Sequence, residues 1–294
     1  MSTMRVVNPE ELTEPNLVSS TVARDDYPEW DSATTYDTGD RVIFGVSAWE
    51  ALADGVTSQP DEGVNATPPE WVRLGFINRW KMFRAGVDSK TRDQDLIEVE
   101  FTPTQGPTTV TLLGLEAQSV TLINDDGFSE TRELVDIGVE DWWEFYFLDY
   151  KFDTTATFDD IPIADGATFT ASIESDGSEV SCGRLVYGRP EILGLTLVGT
   201  DLSILDFSRK QRNEFGELEL VPRRTIRTID YNVAVSTPDI GFIEGVMSRL
   251  SATPALYLGS DDYGFVTIYG VFQDFRVNIQ GPEVSNATIQ VEGF

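Results

Sequence analysis

Between about residues 85 and 185 the chain repeats one pattern, a short run alternating apolar with polar residues and then a turn, and few folds accommodate it. The runs fall at 97–101, 108–113, 119–123, 143–150, 167–174 and 184–188, with turns at Asn124-Asp125-Asp126-Gly127, Ala164-Asp165-Gly166 and Ser175-Asp176-Gly177. A period of two places alternate side chains on one face of a strand, and Gly and Asp supply the backbone conformations of tight turns. Short strands at even spacing bury their apolar faces against one another, which predicts a β-sandwich of jelly-roll kind over residues 76–185. The acidic doublets Asp125/Asp126 and Asp159/Asp160 could serve as calcium ligands or as glycosidase carboxylates, but Asp at a hairpin tip ordinarily serves the turn.

Upstream, residues 27–75 concentrate Trp30, Tyr36, Trp49 and Trp71 among turn glycines and very short alternating strands. Aromatic faces beside polar groups are what sugar rings stack on. The spacing of Trp30, Tyr36, Gly39, Asp40, Val42, Gly45, Trp49, Ala51 and Trp71 resembles a small chitin-binding type of carbohydrate-binding module. That family commonly has a second aromatic just after the x-Ala pair, where this chain has Leu52 and Ala53. On this reading Trp49 and Tyr36 supply the stacking surface, while Trp30 and Trp71 bracket the module and close its core. The alternative is an aromatic minicore used as a spacer.

Residues 1–26, with Pro9, Pro15 and scattered valines, read as an extended arm that orders only against a neighbour. Residues 186–294 predict an α+β domain with one helix over 238–251, introduced by Thr237 as its cap. Within that domain a long hairpin turns at Asn213-Glu214-Phe215-Gly216. It carries Arg209, Lys210, Arg212, Arg223, Arg224 and Arg227, six of the 21 basic residues. A basic ribbon on an acidic body can dock onto an identical neighbour, because Arg meets carboxylates bidentately and is weakly hydrated. The alternative is a solvated hairpin with cross-strand partners such as Glu217 and Glu219. The whole is thus expected to be mainly β and multidomain.

Charge and composition narrow the chemistry. A net charge of -29 argues against nucleic-acid recognition. Many carboxylates with few lysines suit salty water, where self-repulsion is screened, and suggest a marine or halophilic source. With no His, Ser-His and Cys-His catalysis and two-His metal sites are excluded. No phosphate loop or calcium-loop motif is present, so neither cofactor nor metal is expected. The lone Cys182 sits in an alternating strand and reads as a small buried hydrophobe. No leader or spanning segment is evident, which predicts synthesis in a cytoplasm and no membrane insertion.

The segments W-K-M-F-R, C-G-R-L-V-Y-G, L-S-I-L-D-F-S-R-K-Q-R-N-E-F-G, I-Y-G-V-F-Q-D-F and the terminal I-Q-V-E-G-F, in this order, are similar to minor tail proteins of tailed bacteriophages that carry a carbohydrate-binding module. The resemblance spans about residues 27–294. It implies a non-enzymatic virion component of the tail tip or adaptor region, present in several copies. Its partners would be itself and other tail proteins, with a host-surface glycan as a further ligand. The rival functions are a free carbohydrate-binding adhesin and a glycosidase. The absence of a leader counts against the first, and the absence of a localised carboxylate pair against the second.

Overall fold

A computed structural model of the chain describes residues 2–84, 86–136, 151–212, 218–260 and 263–293. The protein is mainly β, with 52% strand and 11% helix, and its sheets are several rather than one. It divides into two compact units, Glu11–Leu185 and a second made of Met1–Glu10 with Val186–Phe294.

In the larger unit, a three-stranded sheet of Arg41–Phe44, Ser47–Ala51 and Trp71–Phe76 forms the aromatic module. Its core is Tyr36, Val42, Trp49, Ala51, Val56 and Trp71. The chain leaves it through the helix Asn78–Arg84, which buries Trp80, Met82 and Phe83. A five-stranded sheet follows, ordered Leu17–Ser20, Thr91–Phe101, Phe169–Cys182, Ser119–Asn124, Ser129–Glu133. Its register explains the alternation. Ile97, Val99, Phe101, Val120, Leu122, Phe169, Ala171 and Ile173 are buried, while Glu98, Glu100, Thr170, Ser172 and Thr121 occupy the other face. A three-stranded sheet of Thr155–Phe158, Thr109–Leu113 and Arg184–Gly188 supplies further buried faces, with Thr109–Leu113 buried throughout. Cys182 is fully buried, and burial pushes its thiol up to about 12. The run at 143–150 lies outside the described residues.

The smaller unit is a sheet that closes on itself. Its order is Pro190–Thr196, Thr3–Val7, Ala255–Leu258, Thr267–Asn278, Val284–Gly293, Thr225–Ser236, and a further pairing of Leu195 with Ala234 and Thr196 with Val233 joins the last strand to the first. Met4, Val6, Leu193, Ile229, Tyr231, Val233, Tyr257, Ile289 and Val291 fill the interior. The helix Ile240–Arg249 covers it with Ile243, Val246 and Met247. Close approach demands glycine at Gly270, where a Cβ would stand 2.0 Å from the Glu292 carbonyl oxygen.

Three expectations need correction. The segment 1–26 is not a free arm. Thr3–Val7 is an internal strand of the smaller unit's sheet, with Met4, Val6 and Val7 buried, and Leu17–Ser20 pairs with Thr91–Phe101. Pro9 and Pro15 lie between these two strands and interrupt pairing rather than preventing it. The contiguous division at 185/186 therefore omits ten residues from the smaller unit. Finally, the helix begins with a 3₁₀ turn at Thr237–Asp239, and Thr237 is no cap: its hydroxyl donates to the Gly281 carbonyl at 2.9 Å.

Candidate functional site

The strand Asp201–Asp206 continues the smaller unit's sheet beyond its closure, pairing antiparallel with residues 225–230 of Thr225–Ser236. The ribbon is carried outward by the Phe207 amide, which donates to the Arg224 carbonyl at 3.3 Å. Beyond that, Arg209–Arg212 pairs with Leu218–Val221 and, among the described residues, with no other strand. Every residue of Asp201–Asp206, Arg209–Arg212 and Leu218–Val221 is exposed. The turn expected at 213–216 lies outside the described residues.

Residues directly opposite in an antiparallel pair share a face. Lys210, Arg212, Leu218 and Leu220 therefore form one face of the hairpin, and Arg209, Gln211, Glu219 and Val221 the other. Glu219 stands opposite Gln211, so the register does not pair it directly with a cation. Local partners absorb part of the positive charge. Lys210 reaches Asp206 at 2.7 Å, and together with Ser208 it holds the Asp206 carboxyl well below the usual carboxylate range. Arg227 turns back to donate to the Phe265 carbonyl at 2.6 Å. Arg209 bonds Gln211, and the Arg223 amide donates to the Ser208 hydroxyl at 3.1 Å.

The apolar character of this ribbon is the feature that charge counting missed. Leu202, Ile204, Leu205, Phe207, Leu218, Leu220 and Val221 are each more than two-fifths exposed, Ile204 at 63%. Nearby, Tyr263 and Phe265 are exposed with ring centroids 5.3 Å apart. Isolated exposed apolar residues are ordinary, whereas seven of them here follow one another along a single ribbon. The alternation at 201–206 was visible in the sequence, yet period two says which residues share a face and not whether that face meets core or solvent.

The aromatic candidates point the other way. Trp49 and Tyr36 are only 8% and 7% exposed, and Trp71 is fully buried. Trp49 lies opposite Val42 and donates its indole to the Phe44 carbonyl at 3.3 Å; Trp71 donates to the Ser58 carbonyl at 3.0 Å. Tyr36 packs edge-on to Trp71 at 5.4 Å, and its hydroxyl accepts from the Asp31 amide at 2.7 Å. Only Trp30 is partly exposed, set edge-on to Phe44 at 5.7 Å. Trp49 and Tyr36, expected to supply a stacking surface, thus lie in the module's core: its one three-stranded sheet has no second layer, and these rings supply it.

Of the acidic doublets, Asp125/Asp126 lie in the turn after Ser119–Asn124, whereas Asp159/Asp160 follow the strand Thr155–Phe158 outside any turn. Asp125 accepts from the Thr168 amide at 3.0 Å, and Asp159 accepts from the Thr109 hydroxyl at 2.8 Å. A groove of about 420 Å³ near the irregularity between Glu174 and Glu179 presents Asp95, Glu174 and Asp176, all exposed. No family model, curated protein or solved structure matches the chain.

Proposed function

We propose that the chain is a structural component of a phage or virus tail, present in several copies, that joins its neighbours through the projecting ribbon of residues 201–227. The observation that carries this reading is the ribbon itself: exposed aliphatics interleaved with Arg209, Lys210, Arg212, Arg223 and Arg224 on a strongly acidic chain. Apolar area supplies affinity, and guanidinium groups meeting carboxylates of a neighbour supply register. The aromatic module then acts as a folded spacer, because its rings are spent on its own core. Glycan attachment through Trp49 and Tyr36 does not form part of this function.

The test is particle assembly with Arg223→Glu/Arg224→Glu. The doubly reversed chain should fold as a monomer and be missing from finished tails. Tails that incorporate it at the normal level would refute docking through the ribbon.

A further inference from the structure

The smaller unit leaves two strand edges open on opposite sides of one sheet. Asp201–Asp206, Thr225–Ser236, Val284–Gly293 and Thr267–Asn278 lie side by side, each antiparallel to the next. Among the described residues the first has a neighbour on one side only. The last is covered by Ala255–Leu258 only over Thr267–Gly270, which leaves one side of residues 271–278 open among the described residues. Folded proteins protect such edges with Lys, Pro, bulges or short length. Asp201–Asp206 instead shows regular pairing and exposes Leu202, Ile204 and Leu205.

We propose that the open edge of Asp201–Asp206 in one copy pairs antiparallel with residues 271–276 of a second copy, so that one sheet runs from protomer to protomer. This rests on the reading of the chain as a multi-copy assembly component. An even number of antiparallel strands makes the two outer strands run in opposite directions, so end-to-end addition preserves the alternation. Side chains select the register. With Asp201 opposite Arg276, whose side chain is 80% exposed and pairs with Asp274 along its own strand, Leu202 meets Phe275 and Ser203 meets Asp274. The irregularity between Phe272 and Asp274 then brings Ile204 to Phe272. The faces agree as well. Leu202 lies opposite the buried Ile229, and Phe275 opposite the buried Ile289, so both project to the core side of the sheet. Self-pairing of Asp201–Asp206 about a two-fold axis would instead set Ser203 against itself and Asp201 against Leu205, a register that gives the Asp201 carboxylate no cation. The proposed contact joins two different edges and is heterologous, so it generates a ring where the rotation closes and a filament where it does not.

Disulfide trapping on the full chain tests this. Facing residues of antiparallel strands lie about 4.5 to 5.5 Å apart at Cα, within disulfide range. The native Cys182 is fully buried and does not compete. Ser203→Cys chains mixed with Asp274→Cys chains should give a cross-linked dimer containing one of each, at least tenfold above either alone. Adding Asp201→Arg to the first chain should cut the yield about tenfold, and adding Arg276→Asp to the second should restore it. A Ser203→Cys homodimer, or no mixed dimer, overturns the proposal. If cross-linking fails while Arg223→Glu/Arg224→Glu still blocks incorporation into tails, the assembly reading stands and only this edge contact is lost.

Discussion

Trp49 and Trp71 hold together a module that has no second sheet to lean on. Trp71 is fully buried and so tightly seated that a Cβ at Gly63 would come within 2.5 Å of its ring. Removing a large aromatic from such a core costs about 3 to 5 kcal/mol. Trp49→Ala should therefore lower the denaturant midpoint of the module, whatever sugars are present. A loss below about 1 kcal/mol would mean that the ring is not core. The identities of these residues were plain in the sequence, but their direction was not. Strand parity ties Trp49 to Ala51 and, through cross-strand pairing, to Val42, two residues that have no reason to face solvent. That signal outweighs spacing, because an aromatic on a strand takes the side its neighbours take. The converse holds for Ile204 and Leu220, apolar residues whose exposure depends on an element that leaves the closed sheet.

Elements formed from adjacent residues were the most legible. Most strands of the larger unit's sheets, the hairpin strands Arg209–Arg212 and Leu218–Val221 and the helix Ile240–Arg249 follow from local alternation, helical spacing and turn chemistry. Closure of the smaller unit was not legible, since it depends on Thr3–Val7 pairing with strands some 180 and 250 residues away. Thr-Met-Arg-Val-Val does alternate, but five residues followed by two prolines carry too little local signal to overcome the composition of an arm. The observed pairing makes this segment a fixed part of the unit. Amides of residues 4–7 should exchange with solvent as slowly as those of Thr225–Ser236, even in dilute monomer. Exchange at the rate of an unstructured peptide would restore the arm.

At the scale of the whole molecule the opposing quantities are charge and exposed apolar surface. A net charge of -29 keeps copies apart, whereas the ribbon strands Asp201–Asp206, Arg209–Arg212 and Leu218–Val221 expose aliphatic side chains beside basic ones. Screening decides between them, since the Debye length falls from about 10 Å at 0.1 M salt to about 3 Å at 1 M. Repulsion spread over the surface weakens with salt, while apolar contact does not. The most direct measurement is the sedimentation mass of the purified full chain across this salt range, beside a variant carrying Leu218→Asp and Leu220→Asp. The native chain should pass from 32.7 kDa to multiples of that mass as salt rises, and the variant should remain at 32.7 kDa with unchanged strand content. A native chain that stays monomeric at every salt and concentration, or a variant that assembles equally well, would contradict assembly through the ribbon.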